Sequence, residues 1–359
     1  MTFATNRRTL LLQGGALAIA GAGMAWGPAV LSQAKALLKG AGASLPALIY
    51  EQWALAYARE TGAQLQYQAS GSGEGVRQAV ARSVHFGATD TPLAAKALAD
   101  AKLVQFPTVV GGIVPVVNLP GVASGALRLD GPVLADLFTG RITHWNDVRI
   151  AALNPQLRLP ALPVVRVVRA DASGSTATFT RYLGLFSEEW RSKAGSSPGW
   201  NGTVAAARST IGVVEAVQGQ PGAVGYVPFD RVQKGALTAV ALKNEAGQFV
   251  QPSELSIRDA TQAANLQQNL TASLLNTRGA QAWPITELTY VLVSANPAKA
   301  SDLAPTLEFF AWALQKGDAI VRQTGFVALP ARVQAAAFKV LLGVRDAQGK
   351  LVLGGGFKG

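Results

Sequence analysis

The sequence predicts an α/β fold. Two observations carry that prediction. Short apolar, β-branched runs alternate with stretches whose apolar residues recur every three to four positions through most of the chain. The chain also has 359 residues, 49% hydrophobic and only 15% charged, which is enough for a large core and two domains.

Strands are expected at Leu65–Tyr67, Val84–Ala88, Thr108–Asn118, Pro163–Val168, Ala223–Val227 and Thr289–Val293. Ile49, Trp53 and Tyr57 line one helix face, and Val76, Ala79 and Val80 a second. Phe179, Tyr182, Leu183 and Phe186 line a third, and Leu303, Leu307, Phe310, Ala311 and Leu314 a fourth. Two extended, proline-led stretches, Phe106–Val114 and Trp283–Tyr290, read as crossings between lobes. Val344–Val352 reads as a hairpin with a polar turn, and residues 354–359 as a loose end.

The first 36 residues read as a removable export signal. Arg7 and Arg8 precede Leu10, Leu11 and Leu12, a weakly hydrophobic Gly/Ala-rich run extends to Val30, and Ala34-Lys35-Ala36 fits a cleavage site. Gln13, Pro28 and the glycines before Trp26 argue against a membrane-spanning helix, which needs about 20 strongly apolar residues. The paired arginines suggest the twin-arginine route, with the general secretory route as its competitor; either makes a periplasmic or secreted protein.

Composition excludes several chemistries. With no cysteine there is no disulfide, thiolate metal site or cysteine nucleophile. The two histidines, His85 and His144, lie too far apart in sequence to suggest a metal site. Beyond residue 36 the chain carries 29 basic against 21 acidic residues, a net charge of +8. No basic run exceeds two residues, so the charge reads as a general attraction for anions and not as a nucleic-acid footprint.

The most informative stretch is Arg169-Ala-Asp171-Ala-Ser173-Gly174-Ser175. A fixed cation ends a strand there, and a Ser-Gly-Ser turn opens a helix, so free N–H groups, hydroxyls and a positive dipole end converge. Two further helix starts repeat the device. In Gly40-Ala-Gly-Ala-Ser44-Leu45-Pro46, Ser44 is a cap candidate and Pro46 suits the first turn. In Ser70-Gly71-Ser72-Gly73-Glu74-Gly75 the helix is expected from about Gly75. Ser/Gly at one helix start is ordinary capping chemistry; three such starts, with Arg169 at one, point to an oxyanion site. No P-loop, dinucleotide fingerprint or nucleophile elbow occurs.

Asp90, in Phe86-Gly-Ala-Thr-Asp90-Thr-Pro, follows a strand and precedes a proline turn. A carboxylate is out of place among anion donors unless the anion brings a proton. Phosphate still carries one near neutral pH, its second pKa being roughly 6–7. Asp90 can accept it in a charge-assisted hydrogen bond, whereas sulfate would face an acceptor–acceptor clash.

These residues resemble the periplasmic phosphate-binding proteins of ABC-type phosphate importers, the PstS family. The likeness runs from about Lys39 to Leu341. Besides the segments above it includes Gln105-Phe-Pro-Thr-Val-Val-Gly-Gly, Leu137-Phe-Thr-Gly-Arg-Ile-Thr-His-Trp-Asn-Asp, Pro221-Gly-Ala-Val-Gly-Tyr-Val and Trp283-Pro-Ile-Thr. It implies a two-lobe, type II Venus-flytrap receptor with phosphate in the cleft and permease subunits as partners. It implies no cofactor, metal, catalytic residue or nucleic-acid partner, and a monomer. Residues 37–112 with 285–359 would form lobe one, and 113–284 lobe two. By position, Ser44 and Leu45 would offer N–H groups, with the Ser44 hydroxyl as a further donor; Ser72 would add a hydroxyl and an N–H, and Asp90 would accept the phosphate proton. Arg169 would supply charge, braced by Asp171, and Ser173, Gly174 and Ser175 would complete the cage.

Ser44-Leu45 stands where the family usually has Thr-Phe, and Ala172-Ser-Gly-Ser175 where it has Gly-Ser-Gly-Thr. Arg208 and Ser209 are placed on the surface. A receptor for arsenate, sulfate or molybdate, a secreted phosphatase, and a secreted scavenger or adhesin with no transporter partner stay open as alternative readings.

Overall fold

The computed structural model describes residues 36–234, 237–266 and 269–354. The expected signal, apart from Ala36, and the expected loose end, apart from Gly354, lie outside these residues. Among the described residues no helix is long and apolar enough to cross a membrane.

Strands and helices alternate as expected. β1 (Leu37–Gly42), α1 (Ala47–Thr61), β2 (Gln64–Gln68), α2 (Ser72–Val80), β3 (Phe86–Thr89) and α3 (Ala95–Ala101) lead into the long β4 (Leu103–Val117). β1 pairs in parallel with both β2 and β3, an arrangement that requires crossovers, which α1 and α2 supply. β5 (Arg128–Leu129), α4 (Gly131–Thr139), α5 (Val148–Leu153), β6 (Val165–Arg169), α6 (Gly174–Gly184) and α7 (Glu188–Lys193) follow. Next come β7 (Ala205–Ala207), α8 (Ser209–Gly219), β8 (Ala223–Pro228) and α9 (Phe229–Lys234). β9 (Thr238–Ala239), β10 (Ala241–Lys243), β11 (Phe249–Val250) and α10 (Glu254–Ala263) lead to β12 (Thr286–Ser294). Helices α11 (Ala300–Lys316), α12 (Asp318–Val321) and α13 (Ala331–Leu342) close the chain, and Val344 and Val352 frame the expected C-terminal hairpin through a 2.9 Å bond.

The main sheet runs β2-β1-β3-β12-β4-β8-β6-β7, with β9 also paired to β4; β11-β10-β5 form a small second sheet. β4 is the shared strand. Residues 103–112 pair with β12, and residues 113–117 pair with β8. Its apolar run is buried along nearly its whole length, as expected of a strand covered on both faces.

Each half of the sheet carries its own aromatic cluster. In the first half the Phe310 ring lies edge-on to Phe86 at 4.9 Å and to Phe106 at 5.5 Å, and Tyr50 meets Tyr67 at 5.2 Å. In the second, Phe179 stacks on Tyr226 at 4.3 Å and meets Phe138 at 4.7 Å. Offset and edge-on rings at these spacings are favourable beyond their area alone.

Two helix faces differ from expectation. Val80 is about half exposed, because Ala79 alone of its predicted face is fully inside. Phe186 lies beyond the end of α6 and is partly exposed, though its ring meets Tyr182 edge-on at 5.2 Å.

Phe310→Ala should lower unfolding stability by about 3–5 kcal/mol, since it empties the centre of the first cluster. Urea unfolding should show this as a lower midpoint at unchanged slope.

Candidate functional site

The carboxyl ends of β1, β2, β3 and β6 all point to one place. Ser44 follows β1, Ser72 opens α2 just after β2, Asp90 follows β3, and Arg169 ends β6, with α6 opening at Gly174. Open α/β sheets bind ligands beyond the carboxyl ends of their strands. Backbone bonds tie the first three loops together: Ala43 N donates to Ala88 O at 2.9 Å, and Gly71 N to Gly42 O at 2.8 Å.

Arg169 lies at the bottom of the site, its side chain 2% exposed. Its Nε donates to Asp171 Oδ1 at 2.8 Å and its Nη2 to Asp171 Oδ2, a two-pronged grip that fixes the guanidinium plane. Nη1 is turned the other way and donates to Ser44 Oγ at 3.1 Å. Burial raises the Asp171 carboxyl, but Arg169 and the Ser209 N–H outweigh it and hold the group below the usual range. Asp171 therefore stays charged and cancels much of the Arg169 charge at long range.

Ser44 does not cap α1. That helix starts after Pro46 with no side-chain cap, and the Ser44 hydroxyl instead meets Arg169 and, at 2.9 Å, Thr210 Oγ1. Leu45 is buried in the same turn, its side chain seated over Gly111 of β4.

A second cluster joins the two halves of the sheet. Ser72 Oγ accepts from Gly174 N at 3.1 Å and from Asp90 N at 3.3 Å, and it donates to Asp90 Oδ2 at 3.5 Å. α2 starts at Ser72, three residues earlier than expected, because Gly71 takes a φ of +97° and turns the chain at that point. A methyl group on Gly174 would stand 2.4 Å from Ser72 Oγ and 2.6 Å from Asp90 Cβ, so only glycine fits this approach.

Asp90 is 4% exposed, and its Oδ1 accepts from Thr289 Oγ1 at 2.6 Å. Burial pushes its carboxyl up to about 6, against the opposing pull of Thr289, Arg169 and Ser72. It is thus mainly ionised at pH 7.

At the α6 start the three predicted residues differ in what they leave available. Ser173 N donates to Ser196 O at 3.0 Å, and its hydroxyl caps the helix by accepting from Thr176 N at 3.3 Å. Gly174 N meets Ser72, and Ser175 Oγ donates to Glu287 Oε1 at 3.3 Å. Behind them Tyr226 OH meets Thr176 Oγ1 at 2.7 Å and accepts from Arg169 N at 3.4 Å, joining the strand end to the helix start.

The structure therefore brings Ser44, Leu45, Ser72, Asp90, Arg169, Asp171, Ser173, Gly174 and Ser175 into one buried region. Arg208 is exposed, as expected, while the neighbouring Ser209 N–H donates to Asp171 Oδ1 at 3.0 Å. Thr210, Glu287 and Thr289 were not singled out from sequence. They lie 112 to 199 residues from their partners, and no local pattern marks them. No group of three or more metal-type ligands occurs among the described residues.

Chemically, the region can surround a small anion with hydroxyls, N–H groups at two helix starts and one guanidinium. It also offers an ionised acceptor, Asp90, distinct from Asp171, whose two oxygens Arg169 engages.

The chain matches the PBP superfamily domain over residues 29–315. It is 39% identical over 300 residues to the phosphate-binding protein PstS of Haemophilus influenzae, covering 82% of this chain and 90% of that one. It is 32% identical over 325 residues to the phosphate-binding protein PstS of Methanocaldococcus jannaschii, covering 82% of each. Among solved structures, the periplasmic phosphate-binding protein PfluDING superposes with a TM-score of 0.66 at 23% identity, over 83% of this chain and 92% of that one. The phosphate-binding protein of Stenotrophomonas maltophilia gives 0.65 at 20%, over 85% and 94%. The structural matches carry the fold, and the sequence matches carry the family: the chain belongs to the PstS family of phosphate-binding proteins, within the PBP superfamily.

Proposed function

We propose that this protein is an extracytoplasmic receptor that captures inorganic phosphate and delivers it to the membrane subunits of an ABC importer. The observation that carries the reading is Asp90: a buried carboxylate set among the donors that would grip an anion. An ionised acceptor in an anion site repels any ligand without a proton. Phosphate brings one, and sulfate does not. The names of the relatives agree with this choice.

Ser44, Ser72 and Ser175 are the hydroxyl donors, Leu45 offers an N–H group, and Gly174 would turn its N–H from Ser72 to the ligand. Arg169 supplies the fixed charge, and Asp171 holds its plane. Ser173 acts through the cap it forms, which keeps the α6 start in place. The dipole ends of α2 and α6 add to the attraction where Asp171 has reduced that of Arg169.

We place the lobe boundaries at 112/113 and 284/285, with residues 37–112 and 285–359 in lobe one and 113–284 in lobe two. The change of partner along β4 at Gly112 and Ile113 supports this division. Lobe one then holds Ser44, Ser72 and Asp90, and lobe two holds Arg169 and the α6 start. Because each lobe supplies part of the grip, the ligand favours the closed form. Export would follow cleavage near Ala36, and the receptor would act as a monomer without turnover, cofactor or nucleic acid.

Asp90→Asn tests the selectivity. Titration calorimetry near pH 7 should show phosphate affinity reduced at least tenfold and measurable sulfate binding; unchanged affinity with sulfate still silent would contradict the role given to Asp90. Gly174→Ala should also weaken phosphate at least tenfold, because its methyl group blocks the approach of α6 to Ser72. Its melting temperature without ligand should change little, and a thermal melt beside the titration checks both.

A further inference from the structure

The candidate site holds a second acid. Glu287 lies on β12 opposite Gly111 of β4 and is 4% exposed. One carboxyl oxygen, Oε1, meets Ser175 Oγ at 3.3 Å, and the other, Oε2, has no hydrogen-bond partner among the described residues. Ser175 opens α6, in the other half of the sheet, so the contact spans the cleft.

Charged and titratable groups surround Glu287. Asp90 at the end of β3, Arg181 of α6 and Tyr290 of β12 itself line one cavity with it. Arg181 donates to Thr91 Oγ1 at 2.8 Å and to Ala177 O at 3.1 Å, and Tyr290 OH donates to Leu270 O at 2.9 Å. β4 presents glycine opposite. On α10, which also packs on β12, Arg258 pairs with Glu254, and Asp259 accepts from Gln281 N at 2.7 Å.

Two buried carboxyls in one cavity do not both ionise at neutral pH. Hydrogen bonding decides which keeps the proton. Asp90 accepts from Thr289 and Ser72 and is drawn by Arg169; Glu287 has a longer bond from Ser175, and the pull of Thr178 and Arg181 on it does not offset its burial and the Asp90 charge. The charge therefore sits on Asp90 and the proton on Glu287. Burial, and then the Asp90 charge, push the Glu287 carboxyl well above its ordinary range.

The proton matters because of what Ser175 must do. A hydroxyl has one hydrogen to give. Ionised Glu287 would take that hydrogen and set a second negative charge beside the anion. Protonated Glu287 can instead donate to Ser175 Oγ and leave the hydroxyl hydrogen for the ligand. We propose that Glu287 is a positioning residue of the anion site: protonated in the closed cleft, it turns the Ser175 hydroxyl toward the bound anion and ties closure to proton uptake. This inference rests on the phosphate reading of the same site.

The test is phosphate titration of the mature protein and of Glu287→Gln from pH 6 to 9, in buffers of different ionisation heat. Gln keeps the shape and a donor but cannot titrate. Wild-type affinity should fall with rising pH more steeply than that of the variant, by up to tenfold per pH unit, with up to one more proton taken up per phosphate. Parallel pH profiles with equal proton uptake would overturn the proposal. Should E287Q fail to fold, the wild type alone is titrated in the same buffers: proton uptake beyond what phosphate itself exchanges supports the proposal, and none overturns it. If phosphate binds neither protein, the phosphate reading fails on its own. Where phosphate binds, the infrared difference between phosphate-saturated wild type and E287Q at pH 7 reads the state of Glu287 in the closed cleft. A protonated-carboxyl band present only in wild type supports the proposal, and its absence overturns it.

Discussion

The structure is organised around a conflict of charge: the Asp90 carboxylate is buried among hydroxyls, helix starts and a guanidinium, groups that suit an anion. Asp90 stays ionised because Thr289, Ser72 and the field of Arg169 offset much of its burial. Those three partners come from β12, α2 and β6, so a single carboxylate draws on elements spread across both halves of the sheet. Removing a buried charge from such a network is less disruptive than leaving it unpaired, which is why the donors around Asp90 matter as much as the acid itself.

The same economy governs Arg169. Asp171 engages Nε and Nη2 and leaves Nη1 directed at Ser44. The guanidinium is thereby oriented while its reach beyond this region is reduced. Gly71 and Gly174 provide the space. Backbone from one loop and the start of α6 approach closely enough that a methyl group at either position would collide with a neighbour.

Much of this was legible in the sequence, because the strand-to-helix turns are local. Arg169, Asp171 and the Ser173–Ser175 turn lie within seven consecutive residues, and Ser44, Ser72 and Asp90 each sit at the end of a strand that the apolar pattern marks. The α/β alternation, the long β4 and the buried face of α11 follow from hydrophobic periodicity. What could not be read was of two kinds. Thr210, Thr289 and Glu287 reach the site from elements remote in sequence, and an isolated threonine or glutamate in a strand or at a helix start carries no signal. Local rules also gave way to tertiary contacts: Ser44 would cap a free helix, yet Arg169 and Thr210 hold its hydroxyl, and Val80 continues a helical stripe past the point where the core can cover it.

The account turns on one ionised acceptor choosing a protonated anion. The most direct measurement is calorimetric titration of phosphate-stripped mature protein with phosphate and then sulfate near pH 7. The account predicts one-to-one phosphate binding with sulfate silent. Comparable binding of both anions, or no heat from phosphate with a folded protein, would contradict it.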